Sequence, residues 1–292
     1  ILVTGGAGFI GSNLVKFILK KNLARKIIVL DNYSSGSKIN HITNSKISYF
    51  RGNTKNILTN KKIIKHKIDL IFHLAEFSRI VQSFKYFEKC WESNMQGTKK
   101  VMELALLKKA KFIYSASSSK FGPKTNEFLS PYAWTKAKNV ELIKCYKEWY
   151  GLDYVIAYFY NVYGPNQIRK NHMSAVIGIF EEQFVSNQPL TVVSPGSQKR
   201  DFTHVYDIVE GFIKAGFYKK NQEYQLASGK LYTIMQVAKM FESKIKVIPQ
   251  RPGERFSSKR DNLSKSKKEL NFKIKYNLKK YIQDFIKKHN ND

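Results

Sequence analysis

The sequence predicts an α/β fold: a doubly wound parallel sheet with a smaller α/β lobe attached. Three observations carry that prediction. The apolar run Ile1-Leu2-Val3, mostly β-branched, turns into the glycine cluster Gly5-Gly6-Ala7-Gly8 and then into an amphipathic helix. Further short apolar runs at 27–30, 47–50, 70–75 and 111–114 alternate with helical stretches. The run Leu70-Ile71-Phe72-His73-Leu74-Ala75 is apolar almost throughout, as a parallel strand covered on both faces must be.

The opening strand and turn have a chemical meaning. Gly6, Gly8 and Gly11 fit G-x-G-x-x-G, and Gly5, Gly8 and Gly11 fit the related G-x-x-G-x-x-G spacing. A turn that aims backbone N–H groups at a phosphate tolerates no Cβ where the anion approaches, and the helix behind it adds unpaired donors and partial positive charge. This stretch therefore reads as a diphosphate cradle. Asp31 ends the second strand, Ile27-Ile28-Val29-Leu30, about 20 residues past Gly11, where an acid binds the adenosine ribose hydroxyls. An acid there repels a 2′-phosphate, which favours NAD over NADP.

The totals bound the rest. With 292 residues, 42% hydrophobic and 25% charged, the chain can bury a large core in one large or two closely joined domains. We divide it into a dinucleotide-binding domain over 1–160, with segments returning near 202–228, and a capping lobe over 161–292. The only cysteines, Cys90 and Cys145, lie far apart without metal-type spacing, so free thiols and a reducing compartment are expected, and no metal site is readable. No stretch has the length and apolarity of a membrane span, and no signal peptide is readable, so a cytoplasmic location is expected. The chain opens on a strand residue, not Met, so a residue or two is expected to precede it. The net charge of +29 comes mostly from dispersed lysine, not from an arginine-rich stripe, and fits a coding bias toward A/T-rich codons. A nucleic-acid partner is accordingly not expected.

In chain order, a helix from about Ser12 to Lys21 places Leu14, Val15, Ile18 and Leu19 on one face, and the loop Asn32–Gly36 is positioned to lie along the adenosine. The third strand ends in Arg51-Gly52-Asn53. His73, inside its apolar strand, is expected to be buried, neutral and donating to backbone. A helical stretch from about Ser83 to Lys109 carries Asn94 and Gly97-Thr98. The fifth strand opens into Ser115-Ala116-Ser117-Ser118-Ser119, at the end of the sheet where ligands bind. The next helix starts near Pro131 and carries Tyr132 and Lys136, which lie four apart and so share a face. A lysine ammonium beside a phenol favours the phenolate and brings it toward the range of a general base. Ser117, Tyr132 and Lys136 can thus form a unit that takes a proton from an alcohol while its hydride leaves to NAD. The terminal stretch from Leu278 to Ile286 reads as an amphipathic helix with a lysine-rich outer face.

With these residues in place the chain resembles the extended short-chain dehydrogenase/reductase family, which has a Rossmann-type sheet. Within it, the nearest likeness is to the NAD-dependent nucleotide-sugar epimerases of the UDP-glucose 4-epimerase type. The likeness runs through Thr4–Gly11, Asp31-Asn32, His73-Leu74-Ala75, Asn94 with Gly97-Thr98, Ser117-Ser118-Ser119, and Tyr132 with Lys136. It continues through Asn161-Val162-Tyr163-Gly164-Pro165, Arg200–Val205 and Arg251-Pro252-Gly253-Glu254.

The resemblance implies cofactor contacts at Gly5, Gly8, Phe9, Ile10, Gly11, Asp31, Asn32, Asn53, Leu74, Ala75, Asn94, Tyr132 and Lys136, with Lys136 on the nicotinamide ribose. It implies substrate contacts at Ser117, Ser118, Tyr132, Asn161, Arg200 and Arg251, the two arginines clamping phosphates. Tyr132 would act as base and later as acid. Related 4,6-dehydratases carry an Asp-Glu pair after the strand-end hydroxyl. Ser118-Ser119 stand there instead, so oxidation and re-reduction at C4 without loss of water are expected. A UDP-sugar substrate and a homodimer through the helices at 83–109 and 131–150 follow from the same resemblance.

Several positions depart from the family pattern. Asn53 replaces an aspartate on the adenine side, Glu76 replaces a small residue after His73-Leu74-Ala75, and Ser78-Arg79 follow it near the cofactor. The segment between Gly122 and Pro131 is short, and Ser194-Pro195-Gly196 replaces a more flexible turn. Asn171, His172 and Met173 fall near the uracil and diphosphate, and Lys259 near the position that gates N-acetyl sugars. Three other readings stay open: epimerisation of a UDP-N-acetylhexosamine or UDP-glucuronate, a nucleotide-sugar reductase, and a noncatalytic basic nucleic-acid-binding protein. Retention of Ser117, Tyr132 and Lys136 argues against the last.

Overall fold

The computed structural model describes residues 1–121, 126–217, 221–253 and 263–290. The first half alternates strand and helix: β1 (Leu2–Thr4), α1 (Phe9–Lys20), β2 (Ile27–Asp31), β3 (Ile47–Arg51), α2 (Lys61–Ile64), β4 (Leu70–His73), α3 (Ile80–Lys85), α4 (Phe87–Trp91), α5 (Thr98–Lys108), β5 (Lys111–Ser117), α6 (Pro131–Tyr150) and β6 (Tyr154–Phe159). The second half holds β7 (Asn161–Tyr163), α7 (Val176–Val185), β8 (Leu190–Val193), β9 (Lys199–His204), α8 (Val205–Phe217), β10 (Gln222–Leu226), β11 (Leu231–Thr233), α9 (Ile234–Lys239), β12 (Ile245–Ile248), α10 (Leu263–Leu270) and α11 (Leu278–Asn290).

Seven parallel strands form the main sheet in the order β10-β6-β5-β4-β1-β2-β3. Alternate residues of each strand enter opposite cores. Leu2, Ile28, Ile71, Phe112 and Ile156 face α5 and α6, whereas Val3, Val29, Phe72, Ile113 and Val155 face α1 and α8. That double burial is why these strands read as unbroken apolar runs. The strand order reverses between β1 and β4, so a crevice opens beyond their carboxyl ends, where an open α/β sheet binds its ligand.

The chain leaves the sheet after β6 and returns through α8 and β10. Between and beyond these lie a three-stranded sheet, β11-β9-β7, and the pair β12-β8, packed around Phe180, Phe202, Phe241 and Ile282. No helix among the described residues is long and apolar enough to cross a membrane.

Two local features set the site. β5 runs on through Ser115 to Ser117, further than its apolar run suggests, because Ser115 Oγ donates to His73 O (2.8 Å) and the strand keeps its pairing with β6. α6 starts where Ser130 Oγ accepts from Ala133 N (3.1 Å) with Pro131 in the first turn, and it stops at Gly151, whose φ of 72° suits glycine.

Candidate active site

The cradle is built by contacts that only glycine permits. Gly5 has φ +73°, and a Cβ there would stand 2.9 Å from Ala75 N and Leu74 C, so the turn lies directly against the end of β4. A Cβ on Gly11 would stand 2.0 Å from Gly5 O. Gly8 caps α1 without a side chain to accept from the first helical turn, which leaves the donors of Phe9 and Ile10 to a ligand. A diphosphate fits that end by charge and by donor supply.

Asp31 sits at the end of β2 and is buried. Its Oδ2 accepts from Ala7 N (2.9 Å) and its Oδ1 from Tyr33 N (2.8 Å), so the acid ties the glycine turn to the following loop. Burial pushes its carboxyl above the usual range, and those backbone donors pull it back. A carboxylate has about four acceptor sites, so capacity remains for ribose hydroxyls. Asn32 and Asn53, both expected on the adenosine, meet across the ends of β2 and β3, with Asn32 Nδ2 donating to Asn53 Oδ1 (2.7 Å).

Opposite the cradle, Ser117 closes β5 and its Oγ accepts from Ser119 N (3.1 Å). Ser118 is buried, and Ser119 Oγ is buried without a hydrogen-bond partner among the described residues. Tyr132 occupies the first turn of α6, where its N–H donates to Ser83 Oγ (3.2 Å). Lys136, one turn on, is 6% exposed: its ammonium donates to Ser115 O (2.7 Å) and to Glu76 Oε2, and lies 4.9 Å from the Tyr114 ring centre. The sheet thus brings Lys136 against the strand that ends in Ser117. It also supplies an anion that the Tyr132–Lys136 spacing does not reveal. The available signal was the acid directly after His73-Leu74-Ala75.

His73 is fully buried and neutral, burial lowering its pKa to about 4. Its partners correct the expected backbone contact. Nδ1 meets Thr4 Oγ1 (2.7 Å) and Nε2 meets Thr98 Oγ1 (2.9 Å), because the neighbouring strand and α5 present hydroxyls on both sides of the ring. Asn94 is also fully buried, in a π-helical turn over Glu92–Gly97. Its Oδ1 accepts from Phe77 N (2.7 Å) and its Nδ2 donates to Thr135 Oγ1 (3.0 Å), so it shapes the loop after β4 from beneath. Cys90 and Cys145 are free, and burial raises the Cys90 thiol to about 11.

The second half supplies the far wall. Asn161 Nδ2 donates to Asp201 O (3.1 Å), and Asn161 pairs in register with Phe202, two residues along β9 from Arg200, which is 9% exposed. Asp201 anchors that strand by accepting from Ser228 N (2.8 Å) and Gly229 N (2.9 Å). Arg251 is exposed, on a turn whose Gly253 packs against Ile80. Arg79 crosses from the β4 loop to the other half, its Nε donating to Met173 O and its Nη1 to Ser78 O (2.8 Å). Burial lowers its pKa. The sequence placed Arg79 near the cofactor without assigning it a contact. Gly122, Glu254 and Lys259 lie outside the described residues.

Comparison with known proteins agrees with this geometry. Residues 1–227 match the NAD dependent epimerase/dehydratase family. A putative UDP-glucose 4-epimerase of Methanocaldococcus jannaschii is 29% identical over 258 residues, covering 84% of this chain and 82% of its own. The UDP-glucose 4-epimerase of Thermotoga maritima, solved with UDP-glucose, superposes with a TM-score of 0.88 at 25% identity, covering 99% of this chain and 98% of that one. The UDP-glucuronic acid 4-epimerase of Bacillus cereus, solved with its substrate and NAD, superposes with a TM-score of 0.86 at 26% identity, covering 98% of each chain. A glycine cradle at the sheet's switch point, Asp31 beside it and a family match across the whole parallel sheet lead to one conclusion: the chain belongs to the NAD dependent epimerase/dehydratase family and is an NAD-dependent enzyme.

Proposed function

We propose that this enzyme is a UDP-sugar 4-epimerase acting on the UDP-glucose/UDP-galactose pair with NAD retained through the cycle. The observation that supports the reading is the bond from Lys136, one turn beyond Tyr132 on α6, to Ser115 O of β5, the strand that ends in Ser117 and neighbours β4 at the sheet's switch point. Ser118-Ser119 after the strand-end hydroxyl support epimerisation over elimination, since neither can serve as the carboxyl acid or base that loss of water requires.

In this reading the first-turn donors of α1 and Asp31 hold the dinucleotide. NAD held there would supply the hydride acceptor, and then the hydride donor, for the sugar's C4. Ser117 orients the C4 hydroxyl, Tyr132 takes its proton and later gives it back, and Lys136 supplies nearby positive charge. Asn161, Arg200 and Arg251 hold the nucleotide diphosphate while the sugar turns over.

A second reading, a UDP-hexuronate 4-epimerase, draws support from Arg79, a part-buried guanidinium on the loop after β4 that reaches across to Met173 O. Proton NMR of the anomeric region decides between them. UDP-galactose, UDP-N-acetylgalactosamine and UDP-galacturonate are incubated separately with purified protein and no added cofactor. The C4 epimer is expected in the UDP-galactose tube. Its appearance only with UDP-galacturonate selects the second reading, and no epimer in any tube after NAD is supplied sinks both.

A homodimer joined through α5 and α6 is part of the proposal. Leu107, Trp149 and Tyr150, each more than 60% exposed on or beside those helices, give it an apolar surface to bury. Sedimentation equilibrium should return twice the chain mass. A monomer at micromolar concentration would remove the dimer.

A further inference from the structure

The loop leaving β4 carries Glu76, whose side chain is 1% exposed. Its Oε2 binds the Lys136 ammonium. Its Oε1 accepts from Thr98 Oγ1 (2.8 Å), Asn139 Nδ2 (2.8 Å) and the Tyr114 hydroxyl (3.0 Å). Donors from α5, α6 and β5 therefore converge on one carboxylate directly beneath the proposed proton-transfer residues. Both oxygens of this buried carboxylate are thus supplied with donors, and one of them lies against the Lys136 ammonium, one helical turn from Tyr132.

The other ionisable groups facing this pair are few. His73, on β4, is neutral, with its pKa at about 4. Cys90, on α4, is raised to about 11, and Tyr114, on β5, is held well above the usual phenol, burial being the main cause for both. Arg79, beyond Glu76 in the same loop, has its pKa lowered by burial and donates across to Met173 O. Among the described groups the charges that meet here are those of Lys136 and Glu76, with Arg79 three residues along the same loop.

We propose that Glu76 is a positioning residue for proton transfer: it tethers Lys136 beneath the end of β5 and offsets the ammonium's charge. Tyr132 then keeps its proton to higher pH than Lys136 alone would impose. The inference rests on Tyr132 serving as the base of the proposed epimerase. The direction follows from Coulomb's law. Removing a negative charge near a phenol favours the phenolate.

The test is an ultraviolet phenolate titration of the protein without substrate, with the Tyr132→Phe protein subtracted in each background to isolate one phenol. Glu76→Gln keeps the size and an acceptor for Lys136 while removing the charge. Its Tyr132 should titrate lower by about one pH unit, from charges several ångströms apart at intermediate dielectric. The acid limb of kcat/KM for the epimerised sugar should move down by a similar amount. A purely structural role would lower activity or stability and leave both midpoints in place, and unmoved midpoints in a folded Glu76→Gln overturn the proposal.

If Glu76→Gln does not fold, Glu76→Asp takes its place. The shorter acid keeps the charge and gives up reach to Lys136, so Tyr132 should titrate with the wild type, and a downward shift there overturns the proposal. Because the titration uses no sugar, loss of the epimerase reading and loss of this inference are separate results.

Discussion

Tyr132→Phe is expected to cut turnover about 10³-fold while leaving the fold and the bound NAD intact. The change removes a single oxygen. The contacts that start α6 belong to other atoms: Ser130 Oγ with Ala133 N, and Tyr132's own backbone N–H with Ser83 Oγ. The ring itself stays to fill its half-buried place. A general base contributes roughly two to four powers of ten, so the loss should appear in kcat with little change in KM. Anomeric NMR at saturating substrate, with NAD content assayed on the same preparation, measures both effects. A phenylalanine variant that keeps a tenth of wild-type turnover would take the base role away from Tyr132.

Gly11→Ala is expected to abolish NAD retention and to cost about 1–3 kcal/mol of stability, the usual range for overpacking. The added methyl would stand 2.0 Å from Gly5 O and 2.8 Å from Gly5 C and Gly6 Cα. All three are backbone atoms of the turn itself, so no side chain can swing aside. The turn would have to move, and it is pinned on its far side against Leu74 and Ala75 through Gly5 and against Asp31 through Ala7. Gly8→Ala separates the two effects. Its methyl would meet only Gly5 O, at 3.2 Å, so stability should change little while the methyl occupies the phosphate-facing side and weakens NAD binding. Urea unfolding and NAD released on denaturation provide the two readouts. Full NAD content in Gly11→Ala would show that the turn can relax and would undo the cradle assignment.

The parts of the site that local chemistry determines were readable from the residues. The glycine spacing, Asp31 at a strand end, Pro131 opening a helix, and Tyr132 four residues before Lys136 each state a backbone geometry within a few residues of themselves. Double burial of parallel strands made β1, β2, β4 and β5 visible as apolar runs. The extension of β5 through Ser115 and Ser117 was less visible. Serine has no strong strand preference, and what holds the segment is pairing with β6, whose residues lie about 40 positions away.

Long side chains were decided elsewhere. Lys136 could reach toward a ligand, the sheet or solvent, and Glu76, 60 residues earlier, captures it because β4, β5 and α6 pack together at that depth. His73 was legible as buried and neutral. Its two hydroxyl partners come from β1 and α5, at separations of 69 and 25 residues, which no local pattern records. Asn94 likewise turns inward to hold Phe77. By itself the sequence determined the sheet, the glycine turn and the helical spacing of Tyr132 and Lys136, since backbone conformation follows from short-range sterics and periodic burial. Only the tertiary structure decided which charges meet, because in a closely packed interior a flexible ionic side chain goes wherever distant elements leave it a partner.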